Sequence, residues 1–194
     1  RRTTAFFEPA LDYLVCKVPR WDLGKFKGAS TRIGTEMKSV GEVMAIGRTF
    51  PEVLQKALRM LDIGAHGLDP DAFPFDDVGD QLRQPTPYRP FAIARALRDG
   101  MSVDAIHDLT QIDRWFLHAL VPVVDMHEAL RGTSLPVNAS VLQRAKELGF
   151  SDSQIGRLTQ TPHESVRALR AEHGITPHLA QIDTLAAEFP AETN

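Results

Sequence analysis

"MKSVGEVMAIGRTFPEVLQKALRML", residues 37–61, decides how the chain begins to fold. Within it, "EVMAIG" is a short apolar run that stops at Gly47, the length and composition of a strand. A helix then opens. Thr49 stands as its N-cap, Glu52 completes a capping box, and Pro51 sits in the first turn, where a missing N–H is tolerated. Val53, Leu54, Ala57, Leu58 and Leu61 follow at helical spacing and predict one apolar face. Strand, glycine turn and amphipathic helix in that order are how α/β layers are built. Upstream, "DYLVCKVPR" (12–20) is a second strand-like run, expected to stop at Pro19. Three charges, Lys38, Glu42 and Arg48, lie among the apolar residues. They either pair with neighbouring elements or have a job of their own.

Downstream the strand signal disappears. Residues 62–90 are rich in Gly, Pro and Asp and read as a linker or loose crossing. Helices follow. "FAIARALRDG" stops at Gly100, and "SVDAIHDLT" is capped by Ser102. "IDRWFLHALVPVVDMHEALRG" places Ile112, Trp115, Phe116, Ala119, Leu120, Val123 and Val124 on one side, with a kink expected at Pro122. "VLQRAKELG" ends at Gly149. "SDSQIGRLTQ" opens with a capping box from Ser151 to Gln154. "TPHESVRALRAEHG" opens with another, Thr161 to Glu164, with Pro162 at the first helical position. The expected organisation is an α/β portion over 1–63, a crossing over 64–90 and an all-α helical domain over 91–194.

Charge divides the same way. Residues 1–68 carry a net +4 and residues 69–194 a net −7, within a chain of 194 residues at −3. An acidic helical region is a poor coat for a nucleic acid backbone. The helix–turn–helix rhythm of residues 141–174, with five Lys/Arg against four Asp/Glu, therefore reads as two short packed helices before it reads as a DNA reader. No apolar run reaches the roughly 20 residues of a membrane span. The N-terminal apolar stretch is broken by Glu8, Pro9 and Asp12, unlike a signal peptide. A single cysteine, Cys16, fits a reducing compartment and a buried, inert thiol. The expected location is the cytoplasm, or an organelle matrix in a eukaryote.

Chemistry-bearing motifs are missing. Seven histidines show no H-x-x-x-H pair and no cysteine partners, and read as solvated or capping groups rather than metal ligands. "GKFKGAS" lacks the order of a phosphate loop, and no G-x-S-x-G elbow exists. No catalytic, cofactor-binding or metal residue is assigned. Such a chain is either a fragment of an enzyme whose active site lies elsewhere or a free-standing helical interaction module. It reads as truncated at both ends: residue 1 is not Met, and the pattern breaks off after "AAEFPAETN".

Several stretches carry a resemblance. "MKSVGEVMAIGRTFPEVLQKALRML" and the preceding "FFEPALDYLVCKVPRWDLGKF" (6–26) are similar to the segment that closes an ATP-grasp unit of the large subunit of carbamoyl phosphate synthase. "LTQIDRWFLHAL" (109–120), with Asp113, Arg114, Trp115 and Phe116, resembles the hallmark of that subunit's oligomerisation domain, and "AKELGFSDSQIGRLTQ" and "QIDTLAAEF" extend the match. The resemblance implies the α/β C-terminal portion of the first, carboxyphosphate-forming ATP-grasp unit followed by a helical oligomerisation domain. It implies a parent ligase that makes carbamoyl phosphate from ATP, bicarbonate and glutamine-derived ammonia, with Mg or Mn and K, in arginine or pyrimidine synthesis. None of these cofactors is expected on the fragment alone. It implies as partners the rest of the large subunit, a glutaminase subunit or domain, and further copies, with neither nucleic acid nor membrane. By the same resemblance Leu11 falls along the ammonia route and Met37, Val40 and Glu42 along the carbamate route, with Lys38 and Arg48 as candidate charge partners for Glu42. In the helical hallmark, the adjacent Trp115 and Phe116 are read first as core residues, with contact to a partner as the alternative.

Overall fold

The computed structural model describes residues 11–134, 137–179, 181 and 182. Strands β1 (Leu14–Arg20) and β2 (Gly41–Gly47) form an antiparallel pair, and eight helices follow: α1 (Phe50–Met60), α2 (Val78–Arg83), α3 (Arg89–Arg98), α4 (Val103–Thr110), α5 (Arg114–Leu130), α6 (Ala139–Glu147), α7 (Asp152–Leu158) and α8 (His163–Glu172). The described part of the chain is therefore largely helical with a small two-stranded sheet. β1 runs through Pro19, which pairs with Glu42, to Arg20. Pro19 does not stop it, because each strand of a two-stranded sheet has a free edge where a residue without an N–H fits.

Strand alternation divides the hairpin into two faces. Cys16 and Val18, opposite Ala45 and Val43, occupy one face; Ala45 is buried there and α1 packs against both strands. Burial raises the Cys16 thiol above its usual range, as suits an unreactive group. Helix α1 starts where the sequence places it, but the capping box is only half made. Glu52 Oε2 accepts the Arg48 N–H at 3.1 Å, while the Thr49 side chain makes no cap bond. Glu52 also holds Lys56 at 2.8 Å. Val53, Ala57, Leu58 and Leu61 are buried as the apolar stripe predicts.

One apolar cluster runs from Leu58 and Leu61 through Phe91, Ile106, Leu117, Val123, Leu142 and Ile155 to Val166. Helix α1 thus belongs to the same core as the helices after residue 90. The 62–90 stretch is more ordered than its composition suggests: it contains α2, and it buries Leu68 and Leu82. What fixes it is polar as well as apolar. The Leu68 N–H donates to the buried Gln55 Oε1 at 2.6 Å, and the buried His127 reaches Asp69. The binary pattern of 62–90 carries no trace of these two contacts.

The helical half follows its stop and start signals closely. Gly100 takes φ +89°, which lets the Met101 N–H close back on the Ala96 carbonyl at 2.9 Å. Ser102 Oγ then accepts the Ala105 N–H at 3.2 Å to begin α4. Ser151 Oγ accepts the Gln154 N–H at 3.0 Å, but the Gln154 side chain turns into the core instead of closing the box. Helix α8 starts at His163, one residue later than expected. Thr161 Oγ1 donates to the Thr159 carbonyl rather than capping it. Helix α5 continues through Pro122 without a break.

Candidate functional site

Two surfaces gather the residues singled out by sequence: the outer face of the hairpin and the N-terminal turn of α5. On the hairpin, Val15, Lys17 and Pro19 lie opposite Ile46, Met44 and Glu42 on the face turned away from α1. Val15 and Met44 are exposed there. Lys17 Nζ and Glu42 Oε1 form an ion pair at 2.9 Å with both side chains more than half exposed, a geometry that contributes less than about 1 kcal/mol in water.

In this chain Glu42 pairs with Lys17 and not with Lys38. Lys38 instead holds Glu36 at 3.1 Å and donates to the Arg32 carbonyl at 3.1 Å. Arg48 holds Asp12 at 3.6 Å. It stands six residues beyond Glu42 along an extended strand, about 20 Å away. Lys17 was legible in principle. Once β1 and β2 are paired with Pro19 opposite Glu42, Lys17 becomes the diagonal same-face neighbour of Glu42.

Leu11, Met37, Val40 and Glu42 all lie open to solvent; Met37 is 94% exposed, Leu11 61% and Val40 54%. Leu11 precedes β1 at the end of the hairpin where Leu14 pairs with Gly47, whereas Met37 and Val40 lead into β2 at the other end, where Arg20 pairs with Gly41. Among the described residues they do not enclose a conduit by themselves. The exposed Met37 and Val40 make an apolar surface at one end of the hairpin suited to being covered.

At α5 the four hallmark residues divide into two jobs. Asp113 is the N-cap, its Oδ1 accepting the Trp115 N–H at 2.8 Å. Arg114 Nε reaches Asp104 Oδ1 at 2.6 Å and ties α5 to α4. The two aromatic residues face out: Trp115 is 60% exposed and Phe116 43%. The expectation of core packing fails because Leu117, Leu120, Val124, His127 and Leu130 take the buried stripe, and positions 115 and 116 are rotated off it. The rings still have company. Phe50, at the start of α1, has its centroid 5.7 Å from Trp115 and 5.2 Å from Phe116, which are 5.0 Å from each other. Three edge-on and tilted rings, anchored on two helices yet open to solvent, form a rigid aromatic knob. Phe50 carried no sequence signal beyond its place in the first turn of α1.

Among the described residues no three His, Cys, Asp or Glu side chains converge as a metal set, and no helix is long and apolar enough to cross a membrane. In the helix–turn–helix alternative, one of the two arginines of α8 is turned inward: Arg170 is held by Asp152 Oδ2 at 3.0 Å and by the Ile175 carbonyl at 2.7 Å.

Residues 42–174 match the family model described as carbamoyl-phosphate synthetase large chain, oligomerisation domain. Across its full length the chain is 48% identical to carbamoyl-phosphate synthase (ammonia), mitochondrial, of Homo sapiens, covering 13% of that protein. It is 50% identical to the arginine-specific large chain, mitochondrial, of Schizosaccharomyces pombe, again over its full length and 17% of that protein. Multifunctional protein CAD of Squalus acanthias is 50% identical over 99% of this chain and 9% of its own length. The chain thus spans less than a fifth of each of these relatives. The matched family range begins inside β2 and takes in α1, in keeping with the shared core.

Proposed function

This chain belongs to the family of carbamoyl-phosphate synthetase large-chain oligomerisation domains, and on that premise we propose that it is the assembly module of an ATP-dependent carbamoyl phosphate synthase. In this reading the hairpin and its lead-in are the tail of the carboxyphosphate-forming ATP-grasp unit. The nucleotide, its Mg or Mn and the K ion are held by other parts of the parent large chain, which also receives ammonia from a glutaminase. The parent works in the cytoplasm or in an organelle matrix. Isolated, the 194 residues turn over no ATP.

The observation that carries the assembly role is the aromatic knob. Exposed Trp and Phe held rigidly lose little side-chain entropy on contact, and such anchors dominate protein interfaces. A patch formed by the first turns of two helices suits an isologous contact between two copies. Trp115→Ser is expected to weaken self-association of the chain about tenfold or more in sedimentation equilibrium. The melting temperature should move little, because the indole is largely solvated already. Association unchanged by Trp115→Ser and by Phe116→Ser would remove the knob from assembly.

The hairpin supports the conduit role. Met37, Val40 and Glu42 would line the carbamate route, and Leu11, at the other end of the hairpin, the ammonia route, once the rest of the large chain covers them. A carboxylate on the carbamate route discourages such an anionic intermediate from lingering, and Lys17 limits the local charge. In the complete synthase, Glu42→Ala should leave bicarbonate-dependent ATP hydrolysis near its original rate. The carbamoyl phosphate formed per ATP should fall several-fold. An unchanged product-to-ATP ratio would take Glu42 out of the conduit.

A further inference from the structure

Between α1, the turn from α6 to α7 and the residues after α8 lies a cleft of about 630 Å³. Four Lys and Arg side chains line it; Lys56 pairs with Glu52, and three others form a cluster. Lys146 Nζ lies 2.8 Å from Asp152 Oδ1, and Arg170 grips both oxygens of the same carboxylate at 3.0 to 3.2 Å. Arg59 donates through one nitrogen to the Gly149 carbonyl at 2.6 Å. Asp152 is the carboxylate that Lys146 and Arg170 share, while Arg59 reaches only the backbone. The other acids lining the cleft are engaged elsewhere: Glu52 with Lys56, and Glu147 with Arg144 at 3.5 Å and Gln143 at 2.9 Å.

The cluster therefore holds more positive charge than it neutralises. Lys146 and Arg170 are three-quarters or more buried, so water screens them poorly. The strain appears at Lys146. Burial pushes its ammonium below the usual lysine range, Asp152 opposes that, and Arg170 and Arg59 add to it. Among the described residues Lys146 and Arg59 each make one hydrogen bond and keep further N–H donors, and Ser151 adds a hydroxyl on the same wall. Several cationic donors converging on an open cleft, two of them on a single carboxylate and a third with only a backbone partner, match a ligand with several acceptor oxygens and more than one negative charge.

We propose that this cleft binds a small phosphate-class oxyanion, free or as the phosphoryl group of a metabolite, through Arg59, Lys146 and Arg170. The site is independent of the aromatic knob and of the hairpin. Its occupant would neutralise the surplus charge and pin the residues after α8 against α1.

The test is calorimetric titration of the 194-residue chain with inorganic phosphate, with sodium chloride setting a constant ionic strength and acetate as a monovalent control. Saturable binding of phosphate, and none of acetate, is expected. Lys146→Gln should weaken phosphate about tenfold. Asp152→Asn should tighten it, because the competing internal carboxylate is gone, and no purely structural role for Asp152 predicts that sign. Circular dichroism of both variants confirms that each is folded. Phosphate heats indistinguishable from chloride, acetate binding as well as phosphate, or affinity unmoved by Lys146→Gln would each overturn the proposal. Phosphate that binds the native chain alone, with glycerol 3-phosphate excluded, would restrict the ligand to the free ion.

Discussion

Replacing Gly67 by alanine should lower the melting temperature of this chain by about 10 °C, a large effect for one added methyl group. Gly67 sits at φ +134°, a region L-residues rarely enter, and that conformation alone costs an alanine about 1–3 kcal/mol. A Cβ there would also lie 2.2 Å from Gln55 Oε1 and 2.9 Å from Gln154 Oε1. A long side chain can usually swing aside, but Gln55 cannot. It is 1% exposed, and its Oε1 holds the buried Leu68 N–H. Moving it leaves that N–H unpaired, at a cost of about 1–3 kcal/mol more. The sum is about 2–6 kcal/mol, which at about 2–4 °C per kcal/mol for a chain of this size brackets the stated drop. Gly64 provides the control, since it also has positive φ, +84°, but nothing within 4 Å of an added Cβ. Gly64→Ala should therefore show the conformational cost without the collision. Equal melting temperatures for the two variants would mean that the Gln55 contact adds nothing.

The same corner explains why part of this fold was legible in sequence and part was not. Helix starts and stops are written locally. Ser102, Gly100 and Ser151 act where they stand, because a cap or a left-handed turn needs only neighbours within four residues. The apolar stripe of α1 was legible for the same reason. Residues 62–90 were not, because Gln55, Leu68, Asp69 and His127 meet across up to 72 positions of chain, and polar residues give no periodic signal. His127 is the sharpest case. A histidine at the position of α5 that continues the apolar stripe reads as a solvated or capping group, and it is buried. Trp115 and Phe116 failed in the opposite direction. Their hydrophobicity suggested core, but their angle on the helix, set by Leu117 and Leu120, turns them outward. At the candidate site, the family resemblance located the hairpin and the hallmark helix. It did not provide Lys17 or Phe50, which become neighbours of Glu42 and Trp115 only after strands and helices are paired.

Stability should fall as pH rises from 6 to 9, and His127 should be the cause. Its ring is 2% exposed, with Nε2 3.3 Å from Asp69 Oδ1 and Nδ1 3.0 Å from Glu128 Oε1. A neutral imidazole has one N–H, so one of these nitrogens would then point a lone pair at a carboxylate oxygen. The charged ring satisfies both. Burial works against the charge, but the bonds to Asp69 and then Glu128 outweigh it and raise the pKa above the ordinary histidine value. Further charges frame the pair. Asp71, on the same crossing, is held by Arg98 of α3 at 2.6 Å, and Arg131, just past α5, lies 3.1 Å from Asp71 and 3.9 Å from Glu128. Arg157 of α7 adds positive potential at Asp69, whose carboxyl stays below its usual range: burial raises it, and His127 leads the groups that overcome this. The signs follow by linkage. The raised His127 pKa contributes stability that is complete below about pH 6.5, the unfolded value, and is lost as pH climbs through the folded one. The lowered Asp69 pKa contributes stability present above about pH 4 and lost on acidification through its folded value. The pair therefore stabilises most between about pH 4 and 6.5. His127→Gln should cost about 2–3 kcal/mol in urea unfolding at pH 6, less than a fully buried ion pair because Asp69 and Glu128 are partly solvated. The gap between native chain and variant should narrow steadily above neutral pH, as the native imidazolium loses its proton. A gap of constant size from pH 6 to 9 would mean that His127 is neutral in the folded chain and that its place in the core rests on packing alone.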